Sequence, residues 1–357
     1  MKRFLFGSEA HDEQCRLILR EGSMGKNIRL SFQREPSFFP AEKIANTWSQ
    51  LVVLQDDENE KVLGFGVRSG RPYWLNGEAT ELGYISQLRL VPEFRNGLYL
   101  AKGYKKFKEL HEQDGKVPFY ITTVLSDNKT AREALESKRV GLPSYLPLDE
   151  QSSYFFFAQK AHHESDEVTH QAEIAKVLTT YNEEVCSASL ATRYDENTIS
   201  WMSLVDHEAV TVQTSNSMAS AVLVDFSNVK QVVIDGYSIP YTIITKLARA
   251  TAPFLGIRPP PKVGSHLKSL YLIAISISGD REQGFQALLR HARDRAFQMN
   301  CHGVVCGLSS FSSFNEHARR KCISNTKSIL YAVAWDESVI PKIDTDMNQI
   351  NVEVAIL

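Results

Sequence analysis

The stretch of residues 81–113 constrains the fold of this chain more than any other, because its apolar residues change from a strand pattern to a helix pattern. The first part predicts a mostly buried strand, since β-branched, aromatic and leucine side chains dominate it. Pro92 ends that strand because it has no N–H to donate. From Leu98 onward, apolar side chains recur at the spacing of a helix packed on a sheet, namely Leu100, Tyr104, Phe107 and Leu110.

The turn between this strand and this helix is suited to an anion. Backbone N–H groups at the start of a helix have no partner within the helix and carry part of the positive end of its dipole. Gly97 allows a ligand to approach the backbone closely, and Arg95 adds a fixed positive charge. The turn therefore predicts a site for a pyrophosphate, although many strand-turn-helix units bind no ligand.

The run from Leu88 to Gly97 resembles the acetyl-CoA signature of the GNAT superfamily of N-acyltransferases. That signature is a strand ending in L-x-V-x-P-x-x-R, followed by a glycine-containing turn and a helix. Residues 117–125 then predict a further strand, and Asn128 and Ala131 after it are similar to the N-x-x-A pattern of the family. Leu98 and Leu100 occupy positions that are often glycine in the family.

The resemblance implies an α/β fold with a mixed sheet that is splayed open where the cofactor enters. Upstream of the central strand, the patterns predict strands at 3–6 and 27–33, helices at 11–20 and 41–48, and an antiparallel meander. By the same resemblance, acetyl-CoA is the co-substrate, and no metal is implied. Its pantetheine would lie along Leu88 and Leu90 and its pyrophosphate at the turn, with Asn128 on the far side of the cofactor. The expected pyrophosphate residues are Arg95, Asn96, Gly97, Leu98 and Tyr99.

Acyl transfer to an amine needs a base for the ammonium group and an acid for the departing thiolate. The resemblance places the family's tyrosine acid at position 135, but this chain has Leu135 there. Tyr145, in a predicted loop at 141–147, is the candidate substitute, with loop packing as the alternative. Glu81 at the start of the central strand is the candidate base, with a solvated strand end or an ordered water as alternatives.

A change in composition divides the chain into two predicted domains. Residues 160–167 are charged and lack apolar periodicity, so we place the boundary there, with domains at 1–163 and 164–357. The second half repeats the strand, polar turn and helix around Arg281 and Gly284. The sequence thus predicts two GNAT-like domains in tandem, the second more degenerate, and favours the first as the cofactor site.

Composition limits the partners. A net charge of -2 and a hydrophobic content of 43% are typical of a soluble globular protein without a general attraction to nucleic acid. No apolar run is as long as a membrane span, and the first residues lack the pattern of a signal peptide. The odd number of irregularly spaced cysteines is typical of reduced thiols in the cytoplasm. Taken together, these features predict a cytoplasmic protein that binds no metal, nucleic acid or membrane.

The sequence therefore predicts an N-acetyltransferase that moves an acetyl group from acetyl-CoA to an amine. A longer acyl donor is an alternative, because the phenylalanines at 155–157, Leu98 and Leu100 would enlarge an apolar tunnel. A second alternative is a catalytically inactive module that senses CoA or binds a partner, since Leu135 replaces the family's tyrosine. The acceptor, a small-molecule or peptide amine, is left open, and so is a homodimer.

Overall fold

The computed structural model of the 357-residue chain describes residues 1–95, 98–137, 139–160, 167–343, 350–353 and 356, with only the backbone described at 197 and 198. It is a mixed α/β structure, as the sequence analysis predicted. The first half contains β1 Lys2–Phe6, α1 Asp12–Glu21, β2 Ile28–Gln33, α2 Phe39–Glu42, β3 Trp48–Asp56, β4 Lys61–Leu75, β5 Glu78–Leu90, α3 Leu98–Asp114, β6 Tyr120–Leu125, α4 Lys129–Leu135 and β7 Ser144–Phe157.

The second half repeats the alternation of strands and helices. It contains β8 Val168–Gln171, α5 Ile174–Val185, β9 Leu190–Thr192, α6 Glu196–Trp201, β10 Asp206–Gln213, β11 Ser217–Asp225, β12 Gln231–Tyr237, α7 Ile239–Thr251, β13 Ser269–Gly279, α8 Arg281–Gln298, β14 Gly303–Ser309, α9 Asn315–Lys321, β15 Ser324–Ala334 and β16 Ile350–Asn351. Short 3₁₀ helices lie at Glu9–His11, Pro92–Phe94, Met202–Leu204 and Glu337–Val339. None of the helices in the described part of the chain is long and apolar enough to cross a membrane.

Most strands belong to one large sheet that runs through both halves. Its order is β1-β3-β4-β5-β6-β15-β7-β14-β13-β11-β10-β8, with β9 joining β16 to β4 at the side. The pairs β5·β6 and β13·β14 are parallel and occupy corresponding places in the two halves, while most other neighbours are antiparallel. A separate two-stranded sheet joins β12 of the second half to β2 of the first.

The two halves exchange strands at the middle of the sheet. Strand β15, from the second half, lies between β6 and β7 of the first half, and β7 in turn pairs with β14. Tyr331 is therefore opposite Thr122 on one side and Pro147 on the other. The predicted domain boundary at 163 lies outside the described residues and stays a prediction, but strand pairing joins the regions on both sides of it.

Two predicted elements are wrong in their extent. The helix expected at 41–48 is only the short α2, because Trp48 already pairs with Gly70 as the first residue of β3. The loop expected at 141–147 is strand from Ser144 onward, since β15 pairs with it along its whole length.

The β4–β5 hairpin has a separate apolar layer on each face. On one face, Ile85 packs with Tyr104 and Phe107 of α3. On the other, Val67 packs with Leu19 of α1 and other apolar side chains beside α2. This arrangement puts α3 on the opposite side of the sheet from α1 and α2, and leaves β5 between the two layers.

Candidate functional site

Strand β5 has a bulge and then diverges from its parallel neighbour. Gln87 has a φ of 54°, and the register with β4 shifts between Phe65 and Val67. On its other edge, β5 pairs with β6 only at Gly83 and Tyr84. No strand in the described part of the chain pairs with that edge between residues 86 and 90, so the backbone there is available to a ligand.

Strands β5 and β6 are closely packed up to the point where they separate. A methyl group at Gly83 would collide with the ring of Tyr120, so glycine permits the close approach of β6. Beyond this contact, Thr122 Oγ1 donates a hydrogen bond of 2.7 Å to the carbonyl oxygen of Ile85. The opening between β5 and β6 therefore starts after Ile85, immediately before the bulge at Gln87.

The turn after β5 lies where the sequence analysis predicted it. Pro92–Phe94 form a 3₁₀ helix, and Arg95 Nε donates a 3.0 Å hydrogen bond to the carbonyl oxygen of Leu90. Helix α3 begins at Leu98, whose side chain is exposed, and the Tyr99 ring contacts the Phe94 ring edge-on. The predicted residues Asn96 and Gly97 lie outside the described part of the chain.

A cavity of about 200 Å³ lies between α3 and the β3–β5 sheet, beside this turn. Leu88 and Leu90 both line it, as does Arg95. Most of the other lining residues are apolar or aromatic: Phe4, Val52, Phe65, Gly66, Arg89, Tyr99, Leu100, Gly103, Tyr104 and Phe107. The cavity thus has a cationic group from Arg95 and a hydrocarbon lining, which suits a molecule with an anionic part and an apolar part.

Tyr145 is buried in β7 and reaches the cavity only through another tyrosine. Its hydroxyl is hydrogen-bonded to the hydroxyl of Tyr104, which lines the cavity. Burial raises the pKa of both phenols, and the neighbouring Tyr145 adds to the rise for Tyr104. Both are therefore protonated at neutral pH, and Tyr104 is the one of the two that lines the cavity.

Two other predicted residues make structural contacts. Glu81 accepts hydrogen bonds of 2.6 Å from Thr47 Oγ1 and 2.7 Å from Trp48 Nε1. Glu81 precedes the bulge at Gln87 by six residues, roughly 20 Å along the strand. It therefore lies near the start of β5, whereas Arg95 follows the end of this strand. Asn128 caps α4, because its side-chain oxygen accepts the N–H of Ala131 at 3.3 Å.

The corresponding opening in the second half is filled by the chain itself. Strand β13 has its own bulge at Ala274, where φ is 52°, after its pairing with β14 ends at Leu272. Ala274 N donates to Glu353 Oε1 at 2.7 Å. Burial raises the pKa of the Glu353 carboxyl to about 7.

Carboxylates occupy the rest of this second site as well. Ile277 N donates to Glu184 Oε2 at 3.3 Å, and Arg281 Nη1 pairs with Glu184 Oε1 at 2.8 Å. Arg281 is therefore engaged by an acidic side chain at the place where the first half has Arg95. The first half has the more open of the two sites.

The sequence analysis missed Gln87, Tyr104 and Glu353. One signal for the bulge was present, because the apolar pattern of β5 changes phase between Ile85 and Leu88. Tyr104 was assigned only to the apolar stripe of the helix. Glu353 gave no local signal, since its partner at Ala274 is distant in sequence.

Among the described residues, no group of three or more His, Cys, Asp or Glu side chains is placed to hold a metal ion. The five cysteines are free, and burial raises the pKa of Cys15 and Cys306.

Comparison with known proteins supports the fold assignment. No protein-family profile and no curated protein matches the sequence. Among solved structures, N-myristoyltransferase of Saccharomyces cerevisiae with bound myristoyl-CoA aligns with a TM-score of 0.56 at 11% identity, over 93% of this chain and 79% of that chain. A structure of the same enzyme with myristoyl-CoA and inhibitors gives 0.57 at 10% identity, over 93% and 80%.

A bacterial structure is similar over a comparable share of the chain. It is a conserved protein of unknown function from Enterococcus faecalis, described as a probable N-acyltransferase, with a TM-score of 0.50 at 10% identity over 94% of this chain and 73% of that chain. At such low identity these similarities establish the fold. The chain therefore shares the fold of these structures, as the resemblance carried by residues 88–97 predicted, with a bulged strand and a following helix in both halves.

Proposed function

We propose that this protein is an N-acyltransferase that moves an acyl group from acyl-CoA to an amine. The observation that carries the proposal is the opening beside the bulged end of β5, together with an apolar cavity that reaches Arg95 and the start of α3. The fold adds support, because the yeast enzyme with this fold was crystallised with myristoyl-CoA.

The donor would bind along β5 and across the turn. Backbone groups of Leu88 and Leu90 are suited to pair with the pantetheine amides, because the adjacent strand has already diverged. Arg95 and the turn at residues 96–99, comprising Asn96, Gly97, Leu98 and Tyr99, would hold the pyrophosphate. The α3 dipole favours an anion there, since this helix is 17 residues long.

The first half is the proposed site because its strand edge is open. In the second half, Glu353 and Glu184 accept the backbone N–H groups of Ala274 and Ile277. A thioester oxygen would have to displace a carboxylate to reach either group. The two acidic side chains would also repel a pyrophosphate.

Chemistry in this site requires one bond to form and one to break. The amine nitrogen attacks the thioester carbon, the carbon–sulfur bond breaks, and CoA leaves as a thiolate. Tyr104, which lines the cavity, is the proposed proton donor to that thiolate, and its hydroxyl is hydrogen-bonded to that of Tyr145. Water is the proposed acceptor of the amine proton, because Glu81 is engaged by Trp48 and Thr47 far from the bulge.

Acetyl-CoA is the simplest donor, and a longer acyl-CoA is a second candidate that the cavity favours. Acetyl is too small to use the apolar wall formed by Val52, Leu100 and Phe107. Burial of each methylene of a longer chain in such a cavity would contribute about 0.8 kcal/mol. The size and lining of the cavity therefore support a chain longer than acetyl.

Calorimetric titration of CoA, acetyl-CoA and myristoyl-CoA into the intact protein tests both the proposed donor and the location of its site. We expect binding that is lost when Arg95→Ala is combined with Gly97→Glu, since the added carboxylate would repel the pyrophosphate. Binding that survives would move the site to the second half at Arg281 and Gly284. Absence of binding, together with absence of turnover on an amine panel, would refute the function.

A bulky substitution in the cavity distinguishes a long-chain acyl donor from acetyl-CoA. Leu100→Trp should fill the cavity and weaken myristoyl-CoA binding about ten-fold or more while leaving CoA binding unchanged. Lys105→Trp, at an exposed position of the same helix, is the matched control. Equal effects of Leu100→Trp on acetyl-CoA and myristoyl-CoA would contradict the long-chain donor.

A further inference from the structure

A group of buried cations lies on the face of the sheet opposite α3. We call it the cation pocket and define it by Arg34, which follows β2, Arg71 of β4, and Lys230 from the turn between β11 and β12. Arg34 is 7% exposed and Arg71 is 5% exposed. Both halves of the chain therefore contribute positive charge to one place beside β5.

The described residues satisfy only part of these guanidinium groups. Arg34 Nη2 pairs with Glu42 Oε1 at 3.2 Å. Arg71 Nε donates to Asn46 Oδ1 at 2.7 Å, and its guanidinium lies 4.0 Å from the centre of the Tyr84 ring. The Nη1 atoms of Arg34 and Arg71 are buried and have no hydrogen-bond partner among the described residues.

Positive charge exceeds negative charge in this pocket. Three cations face one carboxylate, Glu42. Burial lowers the pKa of Lys230, and the charges of Arg34 and Arg71 lower it further. Burial lowers the pKa of Arg34 as well. The charge of Glu42 opposes this shift, and the charge of Arg71 adds to it. Buried cations that are neither paired nor fully hydrogen-bonded are unfavourable, so the arrangement is suited to an anionic ligand.

The position of the pocket relates it to the bulge of β5. Tyr84, beneath the Arg71 guanidinium, precedes Gln87 by three residues, roughly 10 Å along the strand. Arg89, which lines the donor cavity, has its pKa lowered by burial and then by the charge of Arg34. The cation pocket and the donor cavity are therefore neighbours on either side of the strand where the thioester is proposed to lie.

We propose that the cation pocket binds the anionic group, a carboxylate or a phosphate, of a small amine acceptor. This inference rests on the proposed acyl transfer and narrows its acceptor to an amine that carries its own negative charge. The unsatisfied Nη1 groups of Arg34 and Arg71 and the Lys230 ammonium receive the anion. The candidate acceptors are amino acids and aminoalkyl phosphates, because each carries an amine and an anionic group in one small molecule.

Matched acceptor pairs test the proposal with the full-length protein. Acyl transfer is measured for leucine against leucinamide and for phosphoethanolamine against ethanolamine, with the donor identified by calorimetry. We expect kcat/KM to be about ten-fold or more higher for the anionic member of at least one pair. Lys230→Met and Arg71→Met should remove most of that preference by raising KM for the anionic amine only.

Controls distinguish recognition from a structural role. Lys61→Met removes an exposed cation from the same strand as Arg71 and should leave the preference unchanged. Arg71→Lys, which retains the charge, should keep part of the preference that Arg71→Met loses. A variant that lowers turnover of both members of a pair equally would overturn the proposal, as would a wild-type preference for the neutral amines.

A binding measurement separates this inference from the proposed function. Inorganic phosphate is titrated into the wild type and into Lys230→Met, which lies in a partly exposed turn where substitution is tolerated more readily than at Arg71. Phosphate binding that weakens about ten-fold in the variant supports the pocket even if no amine is acylated. No phosphate binding in the wild type, with normal turnover of neutral amines, would refute the pocket and leave the acyl transfer intact.

Discussion

Glu353→Gln should remove a large pH dependence from the stability of this protein. The Glu353 side chain is 7% exposed and accepts the N–H of Ala274 at the bulge of β13. Burial raises its pKa from 4.5 to about 7, because a carboxylate loses more hydration than a neutral carboxylic acid does. The folded protein therefore holds a proton that the unfolded chain releases at lower pH.

The sign and size of the effect follow from the two pKa values. Below pH 4.5 the carboxyl is protonated in both states and contributes no pH dependence. Between pH 4.5 and 7 the folded state keeps the proton while the unfolded state loses it, so stability falls by up to about 1.4 kcal/mol per pH unit. Above pH 7 the full cost is about 3 kcal/mol, most of which develops between pH 5 and 8.

Urea unfolding of the wild type and Glu353→Gln at pH 5 and pH 8 measures the contribution of Glu353 to the pH dependence of stability. The glutamine retains an oxygen that can accept the N–H of Ala274 but carries no titrating proton. We expect the free energy of unfolding of the wild type to fall between these pH values by about 2 to 3 kcal/mol more than that of the variant. The exposed Glu133 supplies the control, Glu133→Gln, which should follow the wild type.

An equal pH dependence in the wild type and Glu353→Gln would refute the reasoning. It would mean that the carboxyl is hydrated in the folded protein, or that it titrates near its ordinary pKa. In that case the second bulge would also be less firmly occupied. The argument that favours the first half as the donor site would then lose one of its two carboxylates.

Two further substitutions test the packing around the donor site. Tyr145→Phe leaves the buried hydroxyl of Tyr104 without its partner, so we expect a loss of about 1 to 3 kcal/mol in urea unfolding and slower single-turnover acyl transfer. Unchanged values for both would show that the tyrosine pair has no role. Gly83→Ala forces a methyl group against the Tyr120 ring and should cost about 1 to 3 kcal/mol in thermal unfolding. Gly103→Ala is its control, since a methyl group there makes only ordinary contact with Phe4, and a similar loss in both would contradict the close approach of β5 and β6.

Local patterns were sufficient to predict the centre of the first half. The strand, turn and helix around Pro92 follow from residue types within one stretch, because strand and helix periodicity and the missing proline N–H act locally. The cavity residues Leu88 and Leu90 lie in that same stretch, and so does the turn at Arg95. The residues that surround this cavity and turn could therefore be predicted from the sequence.

Positions that depend on distant partners could not be predicted in the same way. Tyr145 was assigned to a loop because its strand forms only when β15, from the other half, pairs with it. Likewise, residues 41–48 favoured a helix until pairing with β4 drew Trp48 into β3. In both cases long-range hydrogen bonds outweighed a weak local preference.

The sequence by itself determined the order of elements, the bulk of the apolar stripes and the fold family, since these depend on periodicity and short motifs. Only the tertiary structure decided which strand edge is open, because Glu353 closes the second bulge from 79 residues away. The cation pocket likewise exists only after Arg34, Arg71 and Lys230 are brought together by folding of both halves. Burial then gives those charges, and the carboxyl of Glu353, properties that no local pattern encodes.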